Sequence, residues 1–181
     1  MALLKARTQR GLTLAITVVL CVPFCLPMIS GAVDAGSTDE YRVKAAFLLN
    51  FLKFAQWPGT ATNNALVIGV LLPDHFNAEL DNAARALKVS GRPVEVRRFR
   101  KLADVRGCDL LFVPRDAEYA PAELPKMGRL TVGETPQFLS AGGIISFYLQ
   151  DNQVRFEIDP SAAERAGVRI NAHVLQLGAR P

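Results

Sequence analysis

Few residues in this chain have the types and spacing that chemistry needs. Asp74-His75 joins a carboxylate to an imidazole, the ingredients of a proton-transfer or metal site. It directly follows an apolar run, so its plainer reading is loop polarity at a strand end. His173 opens a short apolar segment and reads as a surface or capping-turn residue; in a recognition site its protonation near neutral pH would tune binding. Cys108 stands at the mouth of another apolar run and reads as an inert buried thiol, with an intermolecular disulfide as the alternative. Arg97-Arg98-Arg100-Lys101 reads as the guard of an edge strand rather than a phosphate site. No Gly-rich phosphate loop, nucleophile elbow or paired Cys/His ligand set occurs in the sequence. Neither catalysis nor a cofactor or metal is therefore expected. The residues best suited to a function are Tyr148, Arg155 and Glu157, with Arg169 and Asn171 shortly after them. Arg and Tyr dominate protein-binding hot spots, so the chemistry they support is partner recognition. A solvated face with a Tyr–Arg stack and weak ion pairs is the plainer alternative.

These side chains depend on a hairpin. Gly142-Gly143 leads into Ile144–Gln150, then Asp151-Asn152, then Gln153–Ile158. An Asp-Asn pair can adopt the left-handed conformations of a two-residue turn. That turn pairs Leu149 with Val154, Phe147 with Phe156 and Ile145 with Ile158 on an apolar face. The other face pairs Tyr148 with Arg155 and Ser146 with Glu157. A slip of one residue would scramble this segregation. Asp159-Pro160 then starts a short helix that Gly167 ends. Val168 to Ile170 is extended, and Asn171 caps a last helix carrying Val174, Leu175 and Leu177.

Upstream, Asp39 to Gln56 predicts a long helix stopped at Trp57-Pro58-Gly59, with Ser37 or Thr38 as its cap. Phe47, Phe51 and Phe54 share one side. Its polar stripe is narrow, Asp39, Arg42, Asn50 and Lys53, so a second helix or a second chain must cover the rest of its apolar surface. Ala65–Leu72, Cys108–Val113 and Arg129–Val132 read as strands, the first two buried on both faces. Pro93–Phe99 alternates and reads as a peripheral strand. Phe76–Leu87 and Pro136–Ser140 read as helices. Strands alternating with helices predict an α/β fold, a mostly parallel sheet flanked by helices, with the antiparallel hairpin at its C-terminal end.

The chain has 181 residues, of which 50% are hydrophobic and 21% charged, with a net charge of +4. That suits one domain plus a targeting segment and excludes disordered, collagenous and disulfide-dense classes. Lys5, Arg7 and Arg10 precede an uncharged run from Gly11 to Val33, and small residues at Ala32 and Ala35 suit signal peptidase. This predicts a signal peptide over residues 1–35, cleaved near Ala32 or Ala35, and an exported domain over 36–181. A retained membrane anchor is the alternative; Pro23 and Pro27 weaken it. Cleavage after Ala35 removes three basic residues and Asp34, so the charge falls from +4 to +2. The basicity belongs largely to the leader, which argues against nucleic acid as a partner. One thiol, Cys108, remains, and it cannot form an internal disulfide.

Two stretches carry a resemblance. YRVKAAFLLNFLKFAQWP at the start of the exported part, and GGIISFYLQDNQVRFEIDPSAAERAGVRI near its end, resemble the YfiR-like family of bacterial periplasmic proteins. The strands between match only as buried runs. The resemblance implies a Rossmann-like α/β fold. It also implies a non-catalytic periplasmic repressor that holds down an inner-membrane diguanylate cyclase, lowering cyclic di-GMP and biofilm formation. An outer-membrane lipoprotein sequesters such repressors, and dimers occur. Family members carry paired cysteines, whereas here only Cys108 remains, so disulfide control is not implied. They often place serines before the last helix, where this chain has Asn171-Ala172. On this reading the partner, the periplasmic domain of a cyclase or a sensor kinase, meets Tyr148, Arg155, Glu157, Arg169 and Asn171. The alternative is a periplasmic small-ligand sensor with a crevice at the C-terminal edge of the sheet, lined by Asp74, His75 or Arg115.

Overall fold

A computed structural model describes residues 35–57, 65–127 and 129–178, with the backbone alone for 35–38. The expected leader lies outside the described residues.

The first helix, α1 (Ala35–Phe54), starts earlier than the sequence predicts, so Ser37 and Thr38 lie inside its first turn rather than capping it. It ends two residues early, because Ala55–Gln56 (β1) turns extended and pairs antiparallel with Arg169–Ile170 (β9). Leu48, Phe51 and Leu52 are buried and Phe54 is partly exposed.

The main sheet begins with β2 (Leu66–Leu71), buried along its whole length. Phe76 seals the following loop, and helix α2 (Glu79–Arg85) is shorter than expected, burying Leu80 and Ala84. A small strand, β3 (Lys88–Val89), then turns through Ser90 and Gly91, both at positive φ, into β4 (Arg92–Phe99). Strand β3 covers β4 only at Arg92 and Pro93, so among the described residues the outer side of β4 beyond them carries no further strand, and Arg98 also has a second role there. Its guanidinium reaches back to Asp74 and Asp81, tying β4 to the end of β2 and to α2. Next come β5 (Leu110–Val113) and β6 (Leu130–Gly133), both buried throughout. Residues 136–140 form successive turns around buried Phe138 instead of the expected short helix.

Strands β7 (Ile145–Gln150) and β8 (Gln153–Ile158) form the hairpin in the register set by the sequence: Tyr148 faces Arg155, Ser146 faces Glu157, and Phe147 faces Phe156. Asp151 and Asn152 have φ of 51° and 58°, the left-handed turn that matches strand twist. Asp159 accepts a hydrogen bond from the Ala162 N–H to start α3 (Pro160–Arg165), and Asn171 accepts one from the His173 N–H to start α4 (Ala172–Leu177).

The seven-stranded sheet has the order β3-β4-β2-β5-β6-β7-β8. The five strands from β4 to β7 run parallel, and β3 and β8 are antiparallel at the two ends. An apolar layer lies on each face. One is built from α1, α2 and the hairpin, with Leu48, Phe51, Ile68, Phe76, Phe112 and Phe147. The other, with Leu71, Leu102, Leu111, Leu124 and Phe138, is covered by turns and short 3-10 segments. Most of the apolar surface of α1 is thus covered within the chain by α2 and the sheet, while Val43 and Phe54 stay exposed.

Candidate functional site

In a mostly parallel sheet the C-terminal strand ends converge on one edge, where binding sites gather. Here the residues just beyond β2, β5 and β6 meet the first turns of α1. Glu134 follows β6 directly and its side chain is 1% exposed. Burying a carboxylate demands partners, and it has four. Tyr41 donates its hydroxyl at 3.0 Å, the Arg115 backbone N–H donates at 3.2 Å, Lys44 donates from its ammonium, and the Arg115 guanidinium lies 3.6 Å away. Lys44 is itself only 2% exposed. Its second carboxylate is Glu40, one helical turn earlier, and its ammonium lies 4.5 Å from the centre of the Tyr41 ring. Arg115 closes the ring by donating to Glu40 at 3.0 Å. Burial, then the neighbouring Glu134, pushes the Tyr41 hydroxyl well above its ordinary range, so it stays a proton donor.

Two cations and two carboxylates cancel within this cluster. No free base or nucleophile is left in it, and its chemistry is to hold α1 against the ends of β5 and β6. It also forms one wall of an open groove of about 770 Å³. The opposite wall is the polar face of the hairpin, Ser146, Tyr148 and Glu157; Pro136, Gln137 and Leu139 complete it. Ser146 is buried and donates to the Thr135 carbonyl, which fixes the loop after β6 on the hairpin.

The structure brings Tyr148 and Glu157 into this groove. Tyr148 and Arg155 also line a second one of about 420 Å³, with Phe47, Val154, Phe156 and Leu177. Arg155 is exposed and donates to Gln153 rather than stacking on Tyr148. Arg169 and Asn171 line neither groove: Arg169 sits opposite Gln56 in the small β1–β9 sheet, and the Asn171 N–H donates to the Phe54 carbonyl.

Of the crevice residues, Arg115 joins the charged cluster. Asp74 is occupied by the Phe76 N–H and by Arg98, and His75 bonds Asp116 at 2.9 Å while its ring lies 5.1 Å from Tyr41. His173 stays exposed, 6.5 Å from Phe54. Cys108 is buried and free, and Arg129 donates to its sulfur at 3.1 Å. Burial pushes its thiol up, with Arg129 partly opposing. Among the described residues no group of three His, Cys, Asp or Glu is placed to hold a metal, and no helix is long and apolar enough to cross a membrane.

Sequence reasoning missed Glu40, Tyr41, Lys44 and Glu134. The available signal was the i,i+4 pair Glu40/Lys44, which lies on the apolar side of α1 rather than on its polar stripe.

No curated protein matches the sequence. Among solved structures the fold is similar to a conserved domain protein from Vibrio cholerae, at 14% identity and a TM-score of 0.47, over 77% of this chain and 59% of that one. It is also similar to an ABC domain from Streptococcus pneumonia in complex with L-Trp, at 13% identity and a TM-score of 0.48, over 75% and 59%. The chain therefore spans 59% of the length of each. A family sequence profile matches the chain from residue 41 to 179, and so from the charged turn of α1 to just past α4. By that match the chain belongs to the YfiR/HmsC-like family.

Proposed function

We propose that this protein is a non-catalytic periplasmic regulator that binds the periplasmic domain of an inner-membrane diguanylate cyclase and holds it inactive, lowering cyclic di-GMP and biofilm formation. Family membership over residues 41–179 is the observation that carries this reading. Residues 1–35 act as a cleaved signal peptide and 36–181 as the working domain. A rigid hairpin face supports the partner role: the ladder and the turn hold Tyr148, Arg155 and Glu157 without help from the partner, so little entropy is lost on docking. Arg169 and Asn171 extend the contact on a separate patch.

Repression needs tighter binding to the inactive cyclase than to the active one. A difference of about 3 kcal/mol shifts the balance some hundredfold. An outer-membrane lipoprotein that competes for the same face would release the cyclase, and self-association into a dimer would add a further control. Deleting the gene should raise cyclic di-GMP and biofilm, and restoring the wild-type gene should reverse both, whereas a Tyr148→Ala copy should restore repression only partly. Flat cyclic di-GMP in a strain with an active cognate cyclase would overturn the proposal.

The groove volume supports a second reading, a small-ligand sensor, since about 770 Å³ is ligand-sized. Saturable binding of periplasmic metabolites, with no effect of Tyr148→Ala on cyclic di-GMP, would favour it.

A further inference from the structure

The groove between the charged cluster and the hairpin is lined by five charged side chains: Glu40, Lys44, Arg115, Glu134 and Glu157. The first four pair with one another and cancel. Glu157 is the charge left over. It is half-buried and has no ion pair or hydrogen bond among the described residues. The cation nearest along its own strand, Arg155, donates to Gln153 instead. Beside Glu157 stands Tyr148, half-buried, whose hydroxyl has no hydrogen bond among the described residues either. Because Tyr148 faces Arg155 and Ser146 faces Glu157, Tyr148 and Glu157 are diagonal neighbours. That places the two residues about 7–8 Å apart on one face of the sheet, with their Cβ atoms somewhat closer.

We propose that this groove takes the guanidinium of an arginine side chain presented by the protein that this chain binds. The inference rests on the partner-binding reading above and names the chemistry of the contact. A guanidinium is flat. It stacks on an aromatic ring while offering a fork of N–H donors to a carboxylate, and the interval between Tyr148 and Glu157 suits both contacts. The methylenes of the same side chain fit against Leu139 in the groove wall. A lysine ammonium can meet Glu157 but gains less from the ring.

The test uses the exported chain purified from the periplasm, isotope-labelled and titrated with capped amino acids: N-acetyl-arginine amide, N-acetyl-lysine amide and the neutral isostere N-acetyl-citrulline amide. Amide shifts are read by NMR. Arginine should give saturable shifts at residues 146–149 and 155–158, lysine should bind about fivefold more weakly, and citrulline should give none. Glu157→Gln should abolish the arginine response and Glu157→Asp should retain part of it, with unchanged spectral dispersion as the check on folding. Equal responses to arginine and citrulline, or an arginine response untouched by Glu157→Gln, would overturn the proposal. A cellular arm separates this inference from the functional reading. If Tyr148→Ala relieves repression and Glu157→Gln does not, the arginine contact is wrong and the regulator stands. If deleting the gene leaves cyclic di-GMP flat, the regulator falls, and the titration alone decides the arginine site.

Discussion

An ammonium with 2% of its side chain exposed is tolerable only because Glu40 and Glu134 both reach it. Taking charges out of water costs several kcal/mol per ion, and removing one partner of such a set leaves the other charge stranded. Lys44→Met should therefore lower stability by about 3–5 kcal/mol, read as a lower urea midpoint. In the double variant Lys44→Met/Glu134→Gln no stranded charge remains, so its loss should be smaller than the sum of the single losses. Asp81 gives the corresponding pH prediction. Its hydrogen bond with Arg98, against some opposition from burial, holds its carboxyl below the ordinary range. A depressed folded-state pKa adds stability that is present above the unfolded value and lost as pH falls through the folded one. Asp81→Asn should thus lower the Tm at pH 7, and the gap from wild type should narrow as pH falls below about 4. A gap independent of pH would mean that Asp81 contributes packing rather than charge.

At the scale of elements, the loop that shapes the groove floor hangs on Phe138. A Cβ added at Gly133 would lie 2.3 Å from that ring, and one added at Gly143 would lie 2.2 Å from it. The two glycines flank the loop carrying Glu134, so Phe138 is clamped where no side chain larger than hydrogen fits. Gly133→Ala should cost about 1–3 kcal/mol by overpacking, and trimming the ring with Phe138→Ala in the same chain should make the alanine at 133 nearly harmless, because the ring supplies its three nearest atoms. Additive losses in denaturant unfolding would argue against the clamp. Neither glycine announces this in the sequence, because the clash involves a residue brought in from another part of the loop. The hairpin was legible, since its register follows from a two-residue turn and an apolar/polar alternation, both local. Residues 136–140 were misread for the opposite reason: their helix-like pattern is overridden by the need to seat Phe138 under the sheet.

For the whole molecule, the parallel sheet was legible from its apolar runs, while the charged cluster was not. Glu40, Lys44, Arg115 and Glu134 come from three separated segments that only the strand order brings to one edge. What the molecule does also depends on where it is delivered. The uncharged run from Gly11 to Val33 ends just before α1 begins at Ala35, and the family match begins only at residue 41. Kept, that run would tether the groove to the inner membrane beside a cyclase and out of reach of an outer-membrane competitor. Removed, it frees the domain to exchange between the two. A regulator released by capture needs the second arrangement, so we expect the protein in the osmotic-shock fraction with an intact mass starting at Val33 or Gly36. These starts differ in consequence, because cleavage after Ala32 leaves α1 whole and cleavage after Ala35 trims its first residue. The full 19.7 kDa chain recovered from carbonate-washed membranes would instead make it an anchored protein acting on its neighbours in the inner membrane.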